Sequence, residues 1–543
     1  QSKRSAQICK IVEQANNLGP NTSLIPFVGT IWENRNTDQQ LPGRIQEPLL
    51  IQRTVVSSEH ESLPISILNI TDRTLQVQVQ IDSLPAEMSV TMHRSACTPS
   101  SLGEISWDAL PELDESSVIE IPSLSSRELW LEIATGAVAP GSHRFKIILL
   151  ALNGSGVIDA PSHPHAIPAP RSHVAVTMNV LPFPMAPSGS FRLCTWSPSQ
   201  GPCINDLLTH GNNVFNAPHG KPKYNEQGEL IDVDFSRLDD IIRTMQGFDV
   251  ILLLNGIPEL SVAPEHAGYQ KVLGLYLDKL VQHMAQKGID LKHFALYPID
   301  EPGGQGWAMV NKLVQFGKVV RACNPNIMLY VDGGGEKPMF EAMAPVMDIW
   351  TPAIFQLAED SPEMKIMRTN GQMLWSYNCA YPFSRPTGPN LKNINIIAEY
   401  RAAALFALRH NATGIGYWCY NAGGENAWER IKFEYNLVYP GRTKPVTSRR
   451  WEAVREGIED FRIVTALQNE LKKSGAAAPS AEVQNRIKHL VQISLPQLVD
   501  QSFTEMTIGL ARNVLDASSN DDTMAKFRQE MMSCVKELVR SIK

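Results

Sequence analysis

Asp300 and Glu301 stand side by side in ALYPIDEPGG, residues 295–304, where an apolar, strand-like run meets a proline and two glycines. Adjacent carboxyls repel once both ionise, and each loses hydration energy if buried without a partner. As an isolated tetrapeptide, Asp-Glu-Pro-Gly has the composition of a solvated turn. At the end of a buried strand the same pair offers two acids for two tasks, because the ionised member disfavours ionisation of its neighbour.

Other groups able to bind or react follow apolar runs in the same way: Trp196, Asn216, His219, Asn255, Asp332, Gln356, Tyr377, Asn378, Trp418, Tyr420 and Asn421. Carboxylates serve acid–base work, amides and acids bond hydroxyls, and indole faces stack on the apolar faces of sugar rings. Lys and Arg are nearly missing from the set, whereas a phosphate or carboxylate substrate would call for cations. The mixture predicts a neutral, polyhydroxylated carbohydrate ligand. Trp375 and Trp418 also suit the filling of a barrel interior, and Trp418, nearer its strand end, is the better ligand platform. His219 reads as a loop histidine more readily than as a base. No HExxH motif occurs and the carboxylates are not clustered with histidines, so neither a metal nor another cofactor is expected.

The elements that must position these residues fall into four stretches. Residues 1–45 show no clear period and are expected to wrap a neighbouring domain as an N-terminal extension. Residues 46–185 alternate short β-patterned runs (LPISILNI, TLQVQVQI, ELWLEIAT, HRFKIILLAL, HVAVTMNVL) with turn residues, the signature of an antiparallel β-sandwich. LPFPMAPSGS, 181–190, reads as a linker. From 190 to 445 the rhythm becomes strand, loop, helix. The strand runs are FRLCTW (191–196), NVFNAP (213–218), DVILLLN (249–255), HFALYPID (293–300), IMLYVD (327–332), DIWTPAIF (348–355), QMLWSYN (372–378) and GIGYWCY (414–420). Helical patterns with three-to-four spacing, such as YQKVLGLYLDKLVQHMAQKG, lie between most of them. A (β/α)8 TIM-like barrel is predicted, with its active site at the strand C-terminal ends. An open doubly wound sheet fits less well, because no glycine-rich phosphate fingerprint follows the first strand. Residues 446–543 read as helical, opening with an amphipathic run that stops at Gly475.

Composition bounds the rest. The chain has 543 residues, 43% hydrophobic and 19% charged, with a formal net charge of -7. These values describe a multidomain globular protein and argue against nucleic acid as a main partner. No apolar run approaches the ~20 residues of a membrane helix. Eight cysteines show no CxxC; Cys194 and Cys203 are open to pairing, or to burial as free thiols. The chain opens on Gln1, which fits either a removed secretory signal or trimming. A secreted, periplasmic or cell-surface location is the expectation.

Two-carboxylate glycosidases place their acids on opposite sides of the scissile bond, about 5–5.5 Å apart for retention and about 6.5–9.5 Å for inversion. Consecutive residues on one strand rarely do so, because their side chains diverge from a shared backbone. A different division fits: Glu301 protonates the glycosidic oxygen, and Asp300 binds the N–H of a substrate 2-acetamido group. The acetamido oxygen is thereby turned onto the anomeric carbon, and the substrate supplies the nucleophile. Tyr377 and Tyr420 are the candidates to hold that oxygen.

YPIDEPGG, LWSYNCAYP, ATGIGYWCYN, VYPG and SRRWEAVREGIEDFRIVTAL occur in the order seen in the catalytic domain of glycoside hydrolase family 123, which residues 190–470 resemble. The β-patterned region before them resembles the family's N-terminal domain. The resemblance implies a retaining β-N-acetylgalactosaminidase working through an oxazoline intermediate, with Asp300 and Glu301 as the catalytic pair. It also implies a structural role for Trp451, Arg455, Gly457 and Asp460. Two alternatives stand beside this reading. One is a glycosidase acting on a glycan without an acetamido group, with Glu301 as acid and Asp332 as nucleophile or base. The other is a non-catalytic carbohydrate-binding protein.

Overall fold

The computed structural model describes residues 2–18, 23–32, 40–43, 45–100, 105–152, 171–369, 372–378, 392, 395–421, 426–429, 436–475, 478–500 and 521–542.

The β-patterned region folds into two antiparallel-rich sheets. One has four strands in the order Leu24–Val28, His60–Asn69, Ser126–Ala134, Ser89–Arg94. The other has five, in the order Leu49–Val56, Arg171–Leu181, Gly141–Leu152, Leu75–Asp82, Val118–Ile121. All five β-patterned runs quoted above lie on these strands. Alternate residues (Leu63, Ile65 and Ile67; Leu129, Leu131 and Ile133; Phe145, Ile147 and Leu149; Val174, Val176 and Met178) form one buried cluster. Period-two patterning selects this arrangement, since the alternate residues of each strand face the shared core; His60–Asn69, covered on its other side as well, is buried on both faces. The extension contributes more than a wrap. Leu24–Val28 pairs with His60–Asn69, and Ser2–Leu18 is a helix whose Ile11 and Ala15 pack with Ile25 and Phe27.

The central region builds a nine-stranded parallel sheet from β1 (Arg192–Cys194), β2 (Val214–Pro218), β3 (Ile251–Asn255), β4 (Phe294–Tyr297), β5 (Met328–Asp332), β6 (Ile349–Thr351), β7 (Met373–Leu374), β8 (Tyr377–Asn378) and β9 (Gly414–Tyr417). Their spatial order is β7-β6-β5-β4-β3-β2-β1-β9-β8. β7 and β8 are two halves of one run: β7 pairs with β6 and β8 with β9. Between them Trp375 N donates to Trp350 O at 2.8 Å and Ser376 N to Gly414 O at 3.0 Å. The sheet therefore curls until one short run touches both of its edges. Helices α1 (Ser236–Thr244), α2 (Tyr269–Gln286), α3 (Trp307–Cys323) and α4 (Ala403–Arg409) follow strands. α2 buries Leu273, Tyr276, Leu277, Leu280 and Met284, the three-to-four stripe legible in its sequence.

The concave face of the curl is filled by Cys194, Val214, Ile251, Leu253, Ala295, Tyr297, Tyr330, Ile349 and Trp375, with Trp196 packed on them. The intervening residues, such as Leu193, Phe215, Leu252, Leu254, Leu296 and Val331, belong to the larger core that the helices share. Glycine makes room inside: a Cβ on Gly416 would lie 2.4 Å from the Trp196 ring. Cys194 and Cys203 are free thiols, both buried.

The amphipathic expectation for the C-terminal region is corrected by α5 (Arg449–Glu470), which is buried all round over Arg449–Asp460. Ser448 caps it, its hydroxyl accepting from Trp451 N at 3.1 Å. The polar face is buried because α5 lies between the sandwich and the curled sheet, and its charges meet opposite charges. Arg450 pairs with Asp108 at 2.9 Å and Arg455 with Glu132 at 2.5 Å, while Arg449 pairs with Glu128. Arg401 reaches Asp460 at 2.8 Å, and Arg528 of α6 (Asp521–Ile542) reaches Asp460 at 2.7 Å. The linker is fastened to the same helix, with Ala186 N donating to Arg462 O at 3.1 Å and Arg462 Nε to Ala186 O at 2.7 Å. Among the described residues no helix is long and apolar enough to cross a membrane.

Candidate active site

The C-terminal ends of β4 and β5 hold the acids. Asp300 and Glu301 are both exposed, three and four residues beyond the last residue of β4. Tyr297, the last β4 residue, is buried on the concave face. Its hydroxyl donates to Asp300 Oδ1 at 2.5 Å and lies 2.6 Å from Asp332 Oδ2. Asp332 ends β5, is 6% exposed, and accepts from the Glu301 backbone N–H at 3.1 Å. Burial, assisted by the charges of Asp300 and Glu301, pushes the Asp332 carboxyl up to about 7, against the opposing hydrogen bonds from Tyr297 and Glu301 N. Burial and the Asp332 charge likewise push the Tyr297 phenol well up, so it stays a hydroxyl.

The loop geometry is demanding. Glu301 has φ 39° and ψ 56°, a left-handed conformation that costs a non-glycine residue roughly 1–3 kcal/mol unless its surroundings enforce it. Its backbone is held at both ends, N–H to Asp332 and carbonyl to Gln305 N at 3.2 Å. Gln305 Nε2 also donates to the Asp300 carbonyl at 2.5 Å. The following turn lies flat against the loop after β5: a Cβ on Gly303 would sit 1.9 Å from Gly334 O. The first of the two glycines after the acids, Gly303, therefore serves close approach between neighbouring loops.

Across the mouth, Tyr377 brings its hydroxyl 3.3 Å from Glu301 Oε1. Its ring meets Trp196 edge-on at 6.3 Å, and Trp196 meets Trp418 edge-on at 6.4 Å. Trp418 is 47% exposed, the most open aromatic of this group. Asn216 reaches the same interior from β2, where its Oδ1 is buried without a hydrogen-bond partner among the described residues. Asn255 is exposed at the end of β3. Among the described residues no cation forms an ion pair with Asp300, Glu301 or Asp332, and no cluster of three or more His, Cys, Asp or Glu is arranged to hold a metal.

Several candidates lie elsewhere. Tyr420 is buried behind the sheet, where its hydroxyl donates to Asp206 Oδ2 at 2.6 Å and its ring packs on Trp451 of α5. Asn378 faces outward, because it alternates with the inward Tyr377, and donates to Glu399 Oε2 at 3.2 Å. His219 donates from Nε2 to the Gly256 carbonyl at 2.6 Å and lies 3.3 Å from the Tyr276 hydroxyl; burial lowers it to about 4 and keeps it neutral. Gln356 caps its own turn, accepting from Ala353 N at 3.0 Å. Asn421 is exposed. Sequence reasoning missed Tyr297. The signal was there, since Tyr297 lies on the same strand three residues before Asp300, but it reads as one more apolar strand residue.

Comparison with known proteins adds a family. Residues 255–467 match the family model described as "Glycoside hydrolase 123, catalytic domain". A family 123 glycoside hydrolase from Clostridium perfringens superposes with a TM-score of 0.64 at 13% identity, over 94% of this chain and 100% of that one. At that identity the likeness speaks to the fold. An endo-β-1,4-mannanase from Thermotoga petrophila (TM-score 0.31, 13% identity, 52% of this chain and 77% of that one) is far more distant. So is a family 2 β-galacturonidase from Eisenbergiella tayi (0.29, 9%, 74% and 69%). No curated protein sequence matches the chain.

Proposed function

We propose, from the premise that this chain is a glycoside hydrolase carrying a family 123 catalytic domain, that it releases β-linked N-acetylhexosamine, preferably N-acetylgalactosamine, from glycan ends by substrate-assisted catalysis with retention. The observation that carries this reading is the placement of the acids. Asp300 and Glu301 are exposed together at one strand end, while Asp332 is buried behind the Tyr297 hydroxyl. A nucleophile that must reach an anomeric carbon is poorly placed there, which weighs against Asp332 in that role.

The steps follow from the groups at the mouth. Glu301 gives its proton to the glycosidic oxygen as that bond breaks. Asp300, anchored through Oδ1 by Tyr297, accepts the acetamido N–H with its free oxygen. The acetamido carbonyl oxygen then bonds to the anomeric carbon and closes a bicyclic oxazoline. Glu301, now a carboxylate, takes a proton from water, which opens the ring from the face the leaving group left. Two inversions give retention. Tyr377, whose hydroxyl neighbours Glu301, is the group to hold the acetamido oxygen, and Trp196 and Trp418 offer apolar faces to the sugar ring. We read the curled sheet as a closed (β/α)8 barrel in which the 373–378 run is the seventh strand. That reading sets all these groups around one mouth.

A panel of aryl β-glycosides tests the reading. Hydrolysis of the N-acetylgalactosaminide well above the N-acetylglucosaminide, galactoside and glucoside, with inhibition by a thiazoline mimic of the bicyclic intermediate, is the expected result. Turnover of sugars lacking the acetamido group, with the thiazoline inert, would overturn it.

A further inference from the structure

The Tyr297 hydroxyl lies 2.5 Å from Asp300 Oδ1 and 2.6 Å from Asp332 Oδ2. A phenol has one hydrogen, so it donates to only one of the two carboxyls. At 2.5–2.6 Å an oxygen–oxygen contact without a shared proton is repulsive, so the second contact needs a proton from a carboxyl. Asp300 is exposed and reaches water; Asp332 is buried among Tyr297, Tyr330, Cys194 and the nearby acids Asp300 and Glu301, with no cation facing it among the described residues. The proton belongs on Asp332.

We propose that Asp332 is a positioning residue that works as a carboxylic acid: it donates from Oδ2 to the Tyr297 oxygen, turns the Tyr297 hydrogen toward Asp300, and accepts the Glu301 N–H on Oδ1. One buried group thereby aligns both catalytic acids. It keeps Asp300 an oriented acceptor for the acetamido N–H, and it holds Glu301 in the left-handed backbone that aims its side chain at the mouth. The proposal rests on the roles given to Asp300 and Glu301 above. It adds a residue that touches neither sugar nor water in the reaction.

The carboxylic-acid form has a close mimic in an amide. In D332N the N–H occupies the donor position and the carbonyl oxygen the acceptor position, so the arrangement survives. D332A removes both bonds. Wild type, D332N, D332A and Y297F are assayed on whichever aryl glycoside the wild type turns over best, with thermal unfolding recorded alongside. We expect D332A and Y297F each to lose roughly 10²-fold in kcat, the scale of a small misplacement of a reacting group, and D332N to recover at least about tenfold of the D332A loss. The wild-type alkaline limb of kcat/KM, set in part by loss of the Asp332 proton near its value of about 7, moves to higher pH in D332N.

If D332N is as inactive as D332A while folding normally, Asp332 is needed as a carboxylate and the proposal fails. It fails equally if Y297F or D332A matches wild type. Should D332A not fold, the activity of Y297F and the pH profile of D332N decide between the two forms of Asp332. The wild-type sugar preference tests the substrate-assisted reading separately, because the ranking of variants is read on any sugar the enzyme accepts.

Discussion

Two carboxylate-rich regions of this molecule are built in opposite ways. Along α5, Asp108, Glu128, Glu132 and Asp460 are each matched to an arginine between the sandwich and the curled sheet. At the mouth of the sheet, Asp300, Glu301 and Asp332 meet hydroxyls, amides and each other, with no ion pair among the described residues. Matched charges lock domains together. Unmatched acids cost stability, and a fold keeps them where protons and polar ligands are handled. The two environments differ in kind: the α5 acids are paired with arginines in the interior, whereas Asp300 and Glu301 are exposed at a strand end with no ion-pair partner among the described residues.

The contrast breaks first at Glu301. E301Q removes the only proton donor assigned to the leaving group, so kcat should fall by roughly 10²–10⁴-fold. The unfolding midpoint should stay near wild type, because the side chain is exposed. D300N should lose comparably on acetamido sugars. A large loss of stability in either variant would place these acids with the matched set instead.

The α5 layer should respond in the reverse sense. Arg450→Ala leaves Asp108 buried and unpaired, a loss of about 3–5 kcal/mol in unfolding free energy, read by denaturant titration with kcat changed little in the protein that remains folded. Replacing both Arg450 and Asp108 by apolar residues of similar size should restore much of that loss. If the single variant is as stable as wild type, the ionic layer does not hold the domains.

Asp332 gives a smaller, pH-dependent signature. Its folded value of about 7 lies above the ordinary 3.8, so the native state binds more protons than the unfolded chain between these limits. The Asp332 contribution is fully present below about pH 4 and is lost as pH rises through about 7. Thermal midpoints of D332N measured against wild type from about pH 4 to 8 should therefore show the variant gaining relative stability with rising pH. A constant difference would contradict the burial argument.

The smallest effect is expected at the rim. W418A should raise KM about tenfold with little change in kcat, the loss of about 1–2 kcal/mol of apolar contact with the sugar face. An unchanged KM would remove Trp418 from the substrate site and leave it an exposed aromatic.

Much of the architecture was legible because periodicity reports burial. Five sandwich strands could be read from period-two patterns, and the strand–helix rhythm of the central region from short continuous apolar runs, buried on both faces, alternating with three-to-four helical stripes. The helix Ser2–Leu18 and the strand Leu24–Val28 could not, because the first shows little apolar period and the second depends on a distant partner, His60–Asn69. α5 misled for the opposite reason. Its polar face looked like a solvated one, and only neighbours distant in sequence supply the counter-charges that let it be buried: Glu128 and Glu132 from the sandwich, Arg401 and Arg528 from elsewhere in the chain.

Residue types alone determined that Asp300 and Glu301 share a strand end, that no cation stands near them in sequence, and that aromatics recur after later strands. Tertiary structure decided which of those groups meet. Strand alternation turns Tyr377 inward and Asn378 outward, α5 captures Tyr420 through Trp451 and Asp206, and a buried tyrosine joins two acids from different strand ends, Asp300 and Asp332. The physical reason is that a chain spells out each residue's chemistry locally. The direction of a side chain, and the solvent it loses, depend on neighbours that arrive from elsewhere in the fold.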